Sequence, residues 1–302
     1  MAPRISWIGL GNMGRGMAKN LAAKGPLDTP LTVFNRTTSR AEVFASENPN
    51  TKVASNLDDA IISSDIIFTC LSDDQALRET ITGSLPNAKN KLFVDCSTVH
   101  PDTTTEIAGT LSAHGASFVA SPVFGAPAMA EAGQVICVLA GPSSFIDRVK
   151  PYTTGVISKA NIEFRDKEVR NASQLKVLGN TFVLNMVQTI AEGMVVAEKS
   201  GLGTEALQRF IEAVFPGAYV AYAGRMRSGD YHERAEPLFA VDLVRKDARH
   251  AMDMASSVGA TMRGVQSADA YLTDVKAEMG ARGDITGIYG AVRQSAGLHF
   301  KN

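Results

Sequence analysis

The sequence predicts an α/β protein with a doubly wound sheet in its first half and an all-helical second half. Two observations carry this. In the first half, short apolar runs at Ile5–Gly9, Leu31–Asn35, Ile66–Leu71, Leu92–Ser97 and Val135–Ala140 read as strands. Helical patterns at Met13–Lys24, Ser39–Glu47, Asp74–Ile81 and Thr103–His114 lie between them. Strands that are apolar throughout are buried on both faces, so the pattern reads as a parallel sheet with helices on either side. From about Asn171 the strand signal stops. Leu175, Leu178, Phe182, Met186, Ile190 and Val195 recur at helical spacing, and further helices are predicted at Thr204–Phe215, Phe239–Val258 and Met262–Glu278. The long helix is apolar on nearly all sides and is expected to be buried. The charged stretch Asp166–Arg170 separates the halves, giving an N-terminal domain over 1–168 and an all-α domain over 169–302.

Composition excludes several classes of function. The 302 residues are 45% hydrophobic and 20% charged, with a formal net charge of −1. Such a chain has no basic field for nucleic acid and no acidic tail. The longest uncharged stretch of the second half, Val177–Ala191, contains several amides and hydroxyls. It is shorter than the about 20 apolar residues of a membrane span. No targeting segment is read ahead of Ile5, so a cytoplasmic protein is expected. Cys70, Cys96 and Cys137 lie inside apolar runs, without metal-ligand spacing or a paired framework. They are expected to be free, buried thiols in a reducing compartment, and no metal site is expected.

The first chemical motif follows the first strand. Gly9-Leu10-Gly11-Asn12-Met13-Gly14 is a G-x-G-x-x-G sequence between a strand and a helix. Gly9 permits a tight turn, Gly11 lets backbone approach a pyrophosphate, and Gly14 lets the helix pack close to the strand. The diphosphate would rest on the N–H groups at the helix start. This identifies the N-terminal domain as a Rossmann domain. The second strand ends in Asn35-Arg36-Thr37, where an NAD site usually has a carboxylate for the ribose 2′-OH. Here Arg36 can grip a 2′-phosphate, with Thr37 or Thr38 adding a hydroxyl, so NADP is the expected cofactor. Leu71, closing the run 66–71, is assigned to the same cofactor site.

Lys176 and Asn180 are four residues apart and share one face of the long helix. An ammonium beside an amide can hold a carbonyl oxygen and deliver a proton to it. That work calls for a lysine pKa lowered from about 10.4 toward about 7–8.

With these residues in place, the chain resembles the β-hydroxyacid dehydrogenase family, related to 6-phosphogluconate dehydrogenase. The resemblance spans nearly the whole chain in four blocks. Gly9–Gly14 through Ala18-Lys19-Asn20-Leu21 is similar to the cofactor signature, and Asp95-Cys96-Ser97-Thr98-Val99-His100-Pro101 to the D-x-S-T-x-x-P loop near the nicotinamide. Lys176-Val177-Leu178-Gly179-Asn180, with Ala191-Glu192-Gly193 and Ala197–Leu202, is similar to the catalytic helix. Phe239 with Lys246-Asp247 resembles the C-terminal block. The resemblance implies that Lys176 is general acid in reduction and general base in oxidation, and that Asn180 orients the substrate. It also implies that Ser97, Thr98 and Lys246 lie by the cofactor, and that Phe239 and Asp247 close the pocket. The long helix would join the domains and support a homodimer or homotetramer.

The substrate loop departs from the family pattern A-P-V-S-G-G. It reads Ser121-Pro122-Val123-Phe124-Gly125-Ala126, with Phe124 at the serine position and Ala126 at the second glycine. Ser121, Phe124, Gly125, Ala126 and Thr98 are therefore the expected substrate contacts, in a pocket with one hydroxyl fewer and more apolar bulk. Arg170 and Ala172 stand where glycines usually precede the lysine. The expected activity is NADPH-dependent reduction of a small aldehyde or ketone, often one with a carboxylate. Two alternatives stand beside it. One is an imine reductase on the same fold, favoured by Phe124 and disfavoured by Lys176. The other is a non-catalytic NADP-binding sensor or scaffold.

Overall fold

The computed structural model describes residues 2–302, which divide into two compact units at Lys176/Val177. The first unit contains β1 (Ile5–Ile8), α1 (Asn12–Lys24), β2 (Leu31–Phe34), α2 (Thr38–Glu47), β3 (Thr51–Val53), α3 (Leu57–Ile62), β4 (Ile66–Thr69) and α4 (Asp74–Ser84). It continues with β5 (Leu92–Asp95), α5 (Pro101–Ala113), β6 (Ser117–Ala120), β7 (Val123–Phe124), α6 (Pro127–Glu131), β8 (Val135–Gly141), α7 (Ser143–Thr153) and β9 (Ser158–Arg165).

Its sheet has the order β3-β2-β1-β4-β5-β6-β8-β7, with β9 paired to β8. Strand order reverses at β1 and β4, the topological switch point at which open α/β sheets bind ligands beyond the carboxyl ends of the strands. Successive side chains enter opposite layers, as the period of two requires. Trp7, Phe68, Val94, Val119 and Leu139 pack with Met17 and Leu21 of α1 and with Ile146 and Val149 of α7. Ile8, Ile67, Phe93, Phe118 and Val138 pack with Leu77 and Ile81 of α4 and with Ile107 and Leu111 of α5. Both faces are covered, and this is why the strands read as unbroken apolar runs.

Two expectations about the sheet need correction. It is mixed rather than parallel throughout, because β8 runs antiparallel to β6 and β7. The apolar-run criterion also passes over β3, β6, β7 and β9. Strands β3 and β7 are too short to show a pattern. Strand β9 alternates Lys159, Asn161, Glu163 and Arg165 with Ala160, Ile162 and Phe164, and it pairs only with β8. Polar residues along one side are characteristic of an edge strand. That alternation is the sequence signal that finds it.

Helix α8 (Arg170–Lys199) spans the unit boundary as one 30-residue helix. Beyond it the second unit contains α9 (Thr204–Val214), α10 (Ala218–Arg227), α11 (Asp230–Glu233), α12 (Val241–Ser257), α13 (Arg263–Met279) and α14 (Ile288–Ser295). Among the described residues this unit has no strand, only an isolated bridge between Ala240 and Asp284. Val187, Ala191 and Met194 of α8 pack with Val244 of α12, Leu272 of α13 and Ile288 of α14. The helix is not buried all round, however. Leu178, Phe182 and Val196, which share one face, are 40%, 78% and 66% exposed. Among the described residues, no helix is long and apolar enough to cross a membrane.

Candidate active site

The turn after β1 is shaped by contacts that only glycine allows. Gly9 has φ +100°, and a Cβ there would lie 2.3 Å from the Cys70 carbonyl oxygen. A Cβ on Gly14 would lie 2.1 Å from the Gly9 carbonyl oxygen, which also accepts a 2.9 Å hydrogen bond from the Trp7 indole. Gly11 differs, since a Cβ there would meet nothing within 4 Å. The chain itself makes no demand for glycine at 11, so the open space suits a group approaching from outside. Gly11 is also the N-cap of α1. It brings no side-chain cap, and no acid stands in the first turn. The helix itself thus supplies no anion to its own positive end, an arrangement that suits a dinucleotide diphosphate.

Several of the residues expected at the cofactor also brace this turn. Leu10 is 4% exposed and packs in the core, and its N–H donates to Asn35 Oδ1 at 3.0 Å. The Asn35 amide donates in turn to the Thr37 carbonyl. Asn35 thus ties the glycine turn to the end of β2, and Arg36 and Thr37 beyond it are exposed. Ser97 is buried as well. Its hydroxyl accepts from Leu71 N–H at 2.8 Å and donates to Asp95 Oδ1 at 2.6 Å. The same carboxylate oxygen accepts from the Thr69 hydroxyl at 2.7 Å. Asp95 therefore joins the carboxyl ends of β4 and β5, and it is a residue the sequence reading quoted without giving it a role. Asn12, Met13, Leu71 and Thr98 remain half-buried at these strand ends.

The loop 121–126 bears on two substrate expectations. Ser121 is fully buried; its N–H donates to the Asp95 carbonyl at 2.7 Å, and its hydroxyl faces the Cys96 and Cys137 thiols. It is enclosed between β6 and β7, without exposure in the free chain. Burial pushes the Cys137 thiol up to about 12 and the Cys96 thiol well above its usual value, with the Ser121 hydroxyl acting in the opposite sense. Phe124 is half-buried, and Gly125 and Ala126 are exposed.

Lys176 is only 8% exposed, and its ammonium stands 4.8 Å from the centre of the Phe124 ring. That is within the reach of a cation–π contact. Around it the Cys70 thiol is pushed up to about 12, first by burial and then by the Asp95 charge, while the Lys176 charge acts the other way. The lysine thus sits at the carboxyl ends of β4 and β5, beside the loop that carries Phe124. Its helix is tied down just before it. The Ser173 and Thr104 hydroxyls, both buried, are 2.6 Å apart, and Arg170 pairs with Asp102 at 3.0 Å.

One turn beyond Lys176, the Asn180 amide donates to Asp247 Oδ2 at 2.6 Å, and Lys246 pairs with Asp247 Oδ1 at 3.3 Å. Asp247 is 5% exposed, and through these contacts it supports Asn180 and Lys246. Phe239 is half-buried. Its N–H and that of Leu238 donate to Asp284, a buried carboxylate that also pairs with Arg225.

Residues 4–162 match the family described as the NAD binding domain of 6-phosphogluconate dehydrogenase. Residues 171–292 match the one described as NAD-binding of NADP-dependent 3-hydroxyisobutyrate dehydrogenase. The chain belongs to the β-hydroxyacid dehydrogenase family. It is an NAD(P)-dependent oxidoreductase by that membership. The NADH-dependent oxidoreductase ucdB of Aspergillus ustus is 37% identical over 95% of this chain and 98% of its own length. The 3-hydroxyisobutyrate dehydrogenase of Mycobacterium tuberculosis has the same fold, with a TM-score of 0.82 at 24% identity over 97% of this chain and all of its own. An imine reductase of Streptomyces aurantiacus shares it at a TM-score of 0.65 and 17% identity, over 97% and 99% of the two chains.

Within the family signature, Asn20 has a role that spacing does not reveal. Its amide, 4% exposed, donates to the carbonyls of Gly16, Ala130 and Glu131. A Cβ on Gly16 would lie 2.6 Å from the Glu131 N–H. Helix α6, which follows the Phe124 loop, is thereby seated on the helix that begins at the glycine turn.

The contrast between two glycines gives a test. Gly14→Ala is expected to lower the melting temperature sharply, because its Cβ meets backbone oxygen. Gly11→Ala is expected to leave melting within a few degrees of wild type, yet to weaken cofactor binding by about tenfold or more, in line with a lost charge-assisted contact. Thermal melts and cofactor titrations of both variants check this; unchanged cofactor affinity in Gly11→Ala would exclude the turn as the diphosphate seat.

Proposed function

We propose that the chain reduces the carbonyl group of an aldehyde or ketone at the expense of NADPH, with Lys176 as proton donor. The observation that carries this reading is the buried Lys176 ammonium, held against Phe124 near the carboxyl end of β4, the strand beside β1 and its glycine turn. A bound reduced nicotinamide supplies a hydride to the carbonyl carbon. Lys176 Nζ would give its proton to the carbonyl oxygen as negative charge develops there. The product is an alcohol, and the neutral amine recovers a proton from water. In the reverse direction Lys176 accepts the hydroxyl proton. Asn180 donates to Asp247 through its amide nitrogen, so its orientation on the helix is set before a carbonyl arrives.

The preference for NADPH rests on the end of β2. No carboxylate stands there for a ribose hydroxyl, and Arg36 is exposed where a 2′-phosphate needs a partner. The description of the family matched by residues 171–292 includes NADP dependence, whereas the Aspergillus relative is named for NADH. Imine reduction is the second reading. The apolar Phe124 and the fold shared with an imine reductase favour it, while Lys176, suited to protonating a carbonyl oxygen, weighs for the first reading. A NADPH-oxidation assay with semialdehydes, ketoacids and cyclic imines separates these two from a cofactor-binding protein without turnover. A homodimer or homotetramer joined through the Leu178, Phe182 and Val196 face of α8 completes the proposal.

Three outcomes are expected. Arg36→Ala should weaken NADPH binding by about ten- to hundredfold and leave NADH binding nearly unchanged, as titration with each cofactor will read. If wild type binds both equally, the role of Arg36 is wrong. Lys176→Ala should lower kcat by about 10²–10⁴ while cofactor affinity stays close to wild type; full activity in that variant removes Lys176 from the chemistry. Sedimentation at low micromolar concentration should show a dimer or larger species, and Phe182→Glu should shift it toward monomer. A monomer throughout would refute assembly through this face.

A further inference from the structure

The Phe124 ring packs at the margin of the layer that holds Ile8, Ile67 and Phe93, and it also reaches Lys176. Its centre is 4.8 Å from Nζ, and the residue is half-buried, followed by the exposed Gly125 and Ala126. A carbonyl oxygen that takes a proton from Nζ sits about 2.8–3 Å from it. The substituents of that carbonyl therefore reach the neighbourhood of the ring. The face of an aromatic ring carries the negative lobe of its quadrupole, which attracts the ammonium and repels a carboxylate.

Beyond its backbone N–H groups, the rest of the loop adds no side-chain donor. Ser121, its one hydroxyl, is fully enclosed and turned to the Cys96 and Cys137 thiols, with its N–H bonded to the Asp95 carbonyl. Val123 is 5% exposed and belongs to the core, and Ala126 offers only a methyl group. Pro122 has no N–H to give. Among the described residues, the side chains that the loop leaves accessible are thus aromatic or small and apolar. Backbone at Gly125 is held at φ +150° with the space of its missing Cβ filled by Val135 and Met129, so the loop is seated firmly enough to keep Phe124 in place.

We propose that Phe124 sets substrate choice, so that the enzyme prefers carbonyl compounds carrying an aromatic or branched apolar substituent over small carboxylate-bearing ones. The inference rests on the reading of Lys176 as proton donor to a carbonyl. It differs from that reading in its test, because selectivity can be measured in binding as well as in turnover.

The experiment pairs phenylacetaldehyde with glyoxylate as substrates, and 2-phenylethanol with glycolate as ligands of the NADP+-loaded enzyme in calorimetry. Wild type is expected to favour the phenyl compound of each pair by about tenfold or more, the scale on which a pocket discriminates one missing or misplaced group. Phe124→Ser should lower the kcat/KM ratio by about tenfold. Phe124→Leu, which keeps apolar bulk without the ring, should retain most of it. Melting temperature and cofactor affinity show that each variant is folded. A wild-type preference for glyoxylate and glycolate overturns the inference, and so does a folded Phe124→Ser with the wild-type ratio. If neither aldehyde is turned over while 2-phenylethanol binds better than glycolate, the apolar preference at Phe124 stands as a binding property, and the carbonyl-reductase reading falls. If neither alcohol binds and neither aldehyde reacts, both fall.

Discussion

Where the chain leaves β1, Gly9 passes so close to the Cys70 carbonyl that a side-chain carbon would lie 2.3 Å from its oxygen. The rest of the cofactor end is arranged around that approach. The Gly9 carbonyl, turned by the positive φ, meets the Trp7 indole and leaves room for α1 only because residue 14 is also glycine. Trp7 is stacked on Phe68 in the layer below, with ring centres 5.5 Å apart. The turn, the start of α1 and the packing of β1 on β4 are therefore one constraint, and relaxing any of them moves the others.

Around that constraint the polar residues divide into those that hold the chain and those that remain available to a ligand. Asn35, Ser97 and Asp95 are buried or half-buried and have side-chain partners within the unit. Burying such groups is tolerable only when they are bonded, so the strand ends brace one another through them. Arg36 is exposed instead, and Lys176 is held with its ammonium against a ring.

The start of α8 shows how departures from a family pattern can be absorbed. Arg170 and Ala172 occupy positions where glycines are usual. Arg170 pairs with Asp102 at the beginning of α5, and Ala172 is fully buried beneath it. Together with the Ser173–Thr104 contact they tie the first turns of the helix to α5. Lys176 then follows at a set rotation about the helix axis, because the turn that precedes it is anchored by side chains.

The sequence by itself determined the two-part architecture, the glycine turn and its helix, and the pairing of Lys176 with Asn180 on one helix face. These are local matters, decided by periodicity, by backbone freedom at a few glycines and by spacing along the chain. It also pointed to Phe124, because a large ring stands where a small hydroxyl is usual. Tertiary structure decided the rest. The reversal of β8 and the short strands β3 and β7 depend on pairings between distant segments, which leave little trace in a few residues. Whether Ser97 and Ser121 face a ligand or a neighbouring strand depends on which groups the fold brings within hydrogen-bond distance, and a hydroxyl in a motif looks the same in both cases. The exposed face of α8 follows the same logic. Apolar periodicity tells which residues resist water, but only the packed unit shows that Leu178, Phe182 and Val196 are left without cover in a single chain.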